Sequence, residues 1–265
     1  MTRPTCLAPR SRPRAWRELT LLAAIYVLYS QTRVLASGSR DHAVANAHAL
    51  LDTERSLGMA PERWLNHFVS ARELLAIPAD YAYATWHYTV TLAVVVWLWR
   101  AQPTVYLAAR RTLVAATLIA LLGYWLVPMA PPRMLPGFVD TMGQYGDYGW
   151  WGDSASAPKG LGSLTNQFAA MPSLHVGWAV WCGWQLARHA RQRWLRAIGV
   201  AYPLLSVLVV IGTGNHYLAD VIAGLLVLAL GHVAARVATS VVHRIRAFLK
   251  RRSTDARQPT HSFAS

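Results

Sequence analysis

Asn215-His216-Tyr217-Leu218-Ala219-Asp220 leads straight into an apolar run that continues to Ala235, and Met171-Pro172-Ser173-Leu174-His175 opens a second such run. Both runs approach the roughly 20 apolar residues that cross a bilayer. Ionisable side chains at that depth are costly, so two histidines and an aspartate at the mouths of such segments mark a polar site or path inside a membrane protein.

Composition supports this reading. Of 265 residues, 54% are hydrophobic and 14% charged, with 12 Trp, more apolar surface than one soluble core ordinarily hides. Segments with spanning character fall at 19–35, 81–99, 112–127, 173–187, 197–211 and 217–235. The expected fold is an all-α, polytopic membrane helix bundle of about six transmembrane helices.

The net charge of +14 raises the possibility of nucleic acid, but its distribution favours a topological cause. Arg3, Arg10, Arg12, Arg14 and Arg17 lie in the amino-terminal arm. Arg100, Arg110 and Arg111 fall between the second and third expected spans, and Arg188, Arg191, Arg193 and Arg196 between the fourth and fifth. Arg236, Arg244, Arg246, Lys250, Arg251, Arg252 and Arg257 follow the last span, so these groups hold 19 of the 26 basic residues. Lys and Arg in short loops mark the cytoplasmic side, which predicts cytoplasmic termini, Gln192 inside, Asp153 outside and a site facing outward. Arginine with only two lysines, Lys159 and Lys250, hints at a GC-rich bacterial genome and hence an inner cell membrane. Cys6 and Cys182 imply no disulfide framework. The first apolar run, ending in Val34-Leu35-Ala36-Ser37, also has the form of a cleavable signal peptide, against which stands the charge alternation that needs it retained.

Three units follow: a basic arm at 1–18, a membrane domain at 19–238 with its motif core at 112–235, and a basic tail at 239–265. Arm and tail would set topology and meet anionic lipid headgroups. Between the first two spans, Val44, Ala47, Leu50, Leu51 and Leu57 have helical spacing ended by Gly58. A second helix is expected from Pro61 to just before Pro78, with Trp64, Leu65, Phe68, Leu74 and Leu75 on its apolar side. Both would lie along the outer membrane surface or pack on the outer ends of the spans. The segment 129–170 is the longest without spanning character, and its Gly146-Asp147-Tyr148-Gly149-Trp150-Trp151 could cover a lipid chain or sugar headgroup, or anchor at the interface.

Three clusters converge on one membrane face in this topology. His216 and Asp220, four residues apart, share a helix face, so the carboxylate can hold one imidazole nitrogen while the other points away. Pro172 suits a helical first turn that would leave N–H groups near Ser173 and Leu174 free for an anion. Arg133, in Pro131-Pro132-Arg133, offers a permanent bidentate cation for phosphate. With His175 beside them these residues describe a phosphoryl-transfer site, one histidine attacking phosphorus and the other protonating the leaving oxygen.

These residues resemble the type 2 phosphatidic-acid-phosphatase superfamily, especially the branch that includes inositol phosphorylceramide synthases. Pro172-Ser173-Leu174-His175 is similar to its Pro-Ser-Gly-His motif, and His216 with Asp220 to its histidine followed after three residues by aspartate. The resemblance implies that His216 becomes phosphohistidine, Asp220 orients it, His175 is the general acid, and Ser173 and Arg133 bind phosphate. The first motif's lysine falls on Leu126, the proline after its arginine on Met134, and the third motif's Ser-Arg pair on Val209 and Val210. Leu174 in the second motif and Gly214-Asn215-His216-Tyr217 look more like the synthase branch than the common phosphatases, and the two lost cations also speak against a phosphatase.

His87 and Asn215 are further pocket candidates, and Lys159 could replace a missing phosphate cation. No cofactor is implied. Two histidines and a carboxylate can also grip a transition metal, but the adjacent Arg133 would repel a cation and suits an anionic substrate. The expected activity is transfer of a phosphorylated headgroup between membrane lipids, with a lipid alcohol as acceptor, or hydrolysis of a lipid or polyprenyl phosphate. A lipid-phosphate binding or transport protein would need the same positive charge but no nucleophile at His216.

Overall fold

The computed structural model describes residues 13–35, 39–151, 159 and 167–255. Arg3, Cys6, Arg10, Arg12, Ala36, Ser37, Asp153 and Arg257 lie outside the described residues. Among the described residues the chain is all-helical, with one isolated bridge, Met129 to Ala169, and no strands. Its helices are α1 (Ala15–Leu35), α2 (Arg40–Ser56), α3 (Glu62–Ser70), α4 (Glu73–Ala101), α5 (Pro103–Leu126), α6 (Thr141–Gln144), α7 (Leu174–His189), α8 (Arg193–Gly212) and α9 (Leu218–Asp255).

Among the described residues three helices are long and apolar enough to cross a membrane: α5, α8 and the Leu218–Leu249 part of α9. Of the about six expected spans, the other three coincide with α1, α4 and α7. At 16 residues α7 measures about 24 Å, short of a bilayer core. α4 is diluted by Trp, Tyr, Thr, His and the buried Asp80.

α7 lies at the centre, packed on α4, α8 and α9, while α5 packs on α9. Val94, Leu98, Tyr106, Leu113, Trp181, Cys182 and Tyr202 close together into one core cluster. Leu204 and Leu208 of α8 and Leu226, Leu230 and Val233 of α9 face outward, an apolar surface too continuous for water and suited to lipid. At the basic end, Glu18 accepts from the Tyr106 hydroxyl at 2.6 Å and pairs with Arg110, which ties α1 to α5.

The amphipathic stretches fold as helices; α2 packs its apolar side inward, whereas α3 turns much of its apolar side outward. α2 ends at Ser56, close to Gly58, and buries Ala43, Ala47, Leu51 and Glu54. The helix expected from Pro61 to Pro78 is broken at Arg72, whose backbone is extended, and Pro78 lies inside α4. The proline is tolerated there because the carbonyl it leaves unpaired belongs to Leu74, which is 89% exposed at the start of the helix. α3 buries its polar face, Glu62, Asn66 and Ser70, and turns Trp64 and Phe68 outward. Asn66 explains the inversion: it donates to Val139 O at 2.9 Å and Gly212 O at 3.1 Å and accepts from Val139 N at 2.8 Å.

The basic tail expected from 239 begins as a continuation of the last helix. α9 continues to Asp255 because no glycine or proline interrupts the chain between Gly231 and Pro259. The segment after α5 begins and ends in described residues, 129–151 and 167–170. Its ends are tied where Met129 N donates to Phe168 O at 2.8 Å, and a 3-10 turn at Pro132–Met134 and the short α6 lie between.

Candidate active site

The turn between α8 and α9 presents the histidine-aspartate pair. Gly214 takes φ +70°, a backbone state costly for residues with a Cβ, and a Cβ there would also meet Asn66 and Val139 at 3.0 Å. The turn thereby reverses the chain so that His216 N and Asn215 N both donate to Val210 O at 3.1 Å. His216 Nδ1 lies 3.2 Å from Asp220 Oδ2, both side chains being buried. The same Oδ2 accepts from Tyr217 N at 3.0 Å, which fixes the carboxylate. The other ring nitrogen, Nε2, is buried and has no hydrogen-bond partner among the described residues.

α7 brings the second histidine. Ser173 is its N-cap, Oγ accepting from Val176 N at 3.4 Å, and the helix starts at Leu174, so Pro172 precedes the cap rather than occupying the first turn. Ser173 N–H is not free for an anion as expected: it donates to Asp220 O at 3.0 Å, which locks α7 to α9. Close packing supports that contact, since a Cβ on Gly224 would run into the Ser173 carbonyl. One turn of helix places the His175 ring 5.5 Å from the His216 ring, edge to face. Tyr83 stacks on His175 at 4.4 Å, and His87 lies 3.9 Å from it.

Arg133 joins through its neighbour. Its backbone N donates to Gly214 O at 2.8 Å and its Nε to Asn215 Oδ1 at 3.0 Å, while Nη1 lies 3.5 Å from Asp140 Oδ2. Asn215 in turn donates to Thr213 Oγ1 at 2.9 Å, so it holds the guanidinium in place. The structure thus links Arg133, Ser173, His175, His216, Asp220, Asn215 and His87 in one contiguous cluster. Lys159 is exposed, its N–H donating to Trp150 O at 2.9 Å.

Beside His175 a small cavity opens between α4, α7 and α8, lined by Tyr83, Trp86, His87, Tyr202, Val209 and Val210. Val209 and Val210, where the resembling motif carries serine and arginine, make this wall apolar. Asp220 engages the Nδ1 of His216 and is therefore turned to that ring rather than standing beside it as a co-ligand. Among the described residues no three histidine, cysteine or carboxylate side chains are arranged to hold a metal ion.

Two residues escaped the sequence reading. Leu218 N donates to Glu62 Oε1 at 2.7 Å and Ala219 N to Glu54 Oε1 at 2.6 Å, so carboxylates from α3 and α2 satisfy the first donors of α9. Burial pushes the Glu54 carboxyl up to about 7, the facing Glu62 and Asp220 adding to the effect and the Ala219 N–H opposing it. Burial raises Glu62 as well. The available signal was an acid on an apolar stripe, Glu54 continuing the series Ala43, Ala47 and Leu51.

A helical chain with membrane-crossing segments and a buried histidine-aspartate pair facing a second histidine belongs to the class of membrane-embedded enzymes that act on phosphate groups. The chain is a member of the PAP2 superfamily, whose family model matches residues 48–234. That membership makes it a phosphatase or phosphotransferase. No curated protein matches the chain, and neither does any solved structure.

Proposed function

We propose that the chain transfers a phosphorylated headgroup between membrane lipids through a phosphohistidine on His216. The observation that carries this reading is the asymmetry of the His216 ring: Nδ1 is held by Asp220 at 3.2 Å, and Nε2 is left without a partner among the described residues. A ring so held has the tautomer of a nucleophile, its proton on Nδ1 and its lone pair on Nε2.

In the first half-reaction Nε2 attacks phosphorus and the bond to the leaving oxygen breaks. His175 gives that oxygen its proton. In the second, an acceptor alcohol attacks the phosphohistidine and returns its proton to His175, and the N–P bond breaks. Arg133 and the Ser173 hydroxyl bind the phosphate oxygens, and Asp220 stabilises the imidazolium that develops.

A bound lipid alcohol gives a transferase and water gives a phosphatase, because phosphohistidine itself is neutral between them. Leu126, Val209 and Val210 replace polar positions of the resembling motif, and the apolar wall beside His175 suits a lipid alcohol better than a water-filled phosphomonoester site. We place this chemistry in a six-span domain of a bacterial inner membrane, termini cytoplasmic and site outward, with basic ends on anionic headgroups.

The test is purified protein in mixed micelles with a phospholipid labelled in its headgroup phosphate, offered diacylglycerol, an inositol lipid or a polyprenol. Alcohol-dependent appearance of a new labelled lipid is expected. Rapid phosphate release from monoesters, with no alcohol-dependent product, would replace transfer by hydrolysis.

A further inference from the structure

We propose that Glu54 and Glu62 are positioning residues for the His216–Asp220 pair, sharing one proton between their facing carboxyls, and that loss of this proton loosens the first turn of α9 and lowers turnover. The inference rests on the reading of His216 as nucleophile for its effect on turnover, but not for its effect on structure.

The geometry is specific. Glu54 and Glu62 come from separate helices, and each gives one oxygen to a backbone N–H of the turn that carries Asp220, at 2.6 and 2.7 Å. Glu54 is 2% exposed and Glu62 0%. Their side chains are in contact, yet the second oxygen of each is buried and finds no donor among the described residues. Two ionised carboxylates are acceptors only, so contact between them is repulsive. A single proton converts it into an O–H···O bond.

The surrounding charges push the same way. From α9 and the turn before it, Asp220 and Tyr217 face the pair. Asp220 Oδ1 and the Tyr217 hydroxyl are themselves buried without a partner among the described residues. The helix N-terminus contributes roughly half a positive charge, which offsets part of one carboxylate but not three. With one proton present the turn carries two negative charges; when that proton leaves to water it carries three, and the N–H contacts of Leu218 and Ala219 are what repulsion strains. Burial raises both acids, which puts the transition near neutrality for Glu54.

Hydrogen exchange on the purified full chain, read by mass spectrometry on the peptide spanning 216–221 and corrected for intrinsic rates, tests the structural half. Between about pH 6 and about pH 9 protection should fall at least tenfold, and Glu54→Gln, which keeps an acceptor for Ala219 N–H, should hold it level. The catalytic half is read as the pH profile of kcat with phosphatidic acid in mixed micelles. Glu54→Gln should move the alkaline limb upward, and Glu62→Ala should lower kcat about tenfold or more with KM within about twofold. Protection that does not change with pH, or a Glu54→Gln profile superimposable on the unsubstituted one, overturns the proposal. Turnover that survives His216→Gln would instead sink the nucleophile reading, and the exchange result would still stand by itself.

Discussion

Asp220 Oδ2 lies 3.2 Å from His216 Nδ1 and also accepts from Tyr217 N at 3.0 Å, so the carboxylate that orients the ring is itself oriented by the backbone beside that ring. An asparagine at 220 would preserve size but lose the charge that stabilises a developing imidazolium. Asp220→Asn should reduce kcat by about 10²- to 10⁴-fold with little effect on KM. Steady-state kinetics on a lipid phosphate read this directly, and a loss below about threefold would remove Asp220 from the orienting role.

Arg133 is held by Asn215 at 3.0 Å through Nε and pairs with Asp140 Oδ2 at 3.5 Å through Nη1, so a phosphate would take Nη2 and compete with Asp140 for Nη1. Lysine at this position keeps the charge but cannot make both contacts. Arg133→Lys should raise KM for a lipid phosphate about tenfold or more, and Asn215→Ala should produce a smaller rise in the same direction. Unchanged KM in both variants would place the phosphate elsewhere.

Glu54 also gives stability a pH dependence. The folded protein keeps the Glu54 proton up to about 7, while the unfolded chain releases it near the ordinary glutamate value of 4.5. Between those values the folded state binds more protons, so stability falls as pH rises through the window and levels off above it. The full effect is on the order of 3 kcal/mol for so buried a group. Thermal melts in detergent should show a Tm that declines from about pH 4.5 to about pH 7, and Glu54→Gln should flatten that decline. A decline of equal size in the variant would assign it to other groups.

Topology is testable at two exposed positions. Asp147 precedes the aromatic pair Trp150 and Trp151, and Gln192 lies between α7 and α8 among Arg188, Arg191, Arg193 and Arg196. In a background lacking Cys6 and Cys182, a cysteine at 147 should label with an impermeant reagent from outside, and one at 192 only after permeabilisation. The opposite pattern would put the site on the cytoplasmic side.

The sequence reading reached furthest where a local rule suffices. His216 and Asp220 are four residues apart, and they meet as expected although His216 lies in the turn before α9 rather than on the helix, because Asp220 in the first turn of α9 reaches back to it. His175 follows a proline-serine cap and faces them once α7 packs on α9. α2 and Gly58 followed from spacing and a breaker. Orientation was less accessible: the spacing of Trp64 and Phe68 fits a surface helix and a packed one equally, and the three contacts of Asn66 with the backbone of Val139 and Gly212 turn them outward. Glu54 and Glu62 were hidden for the same reason, because their partners, Ala219 and Leu218, are more than 150 residues away in the chain. The continuation of α9 into its basic end has no apolar periodicity to announce it, although no glycine or proline there stops a helix.

The central claim, a covalent phosphohistidine at His216, is tested most directly by trapping it. Purified protein would be mixed with ³²P-labelled phosphatidic acid in mixed micelles, quenched in denaturant at alkaline pH, and mapped by proteolysis. An acid-labile, base-stable label on the peptide containing His216, absent in His216→Gln and accumulating when acceptor alcohol is withheld, is the expected result. Turnover by the unsubstituted protein without any such label, or a label that persists in His216→Gln, would contradict the account.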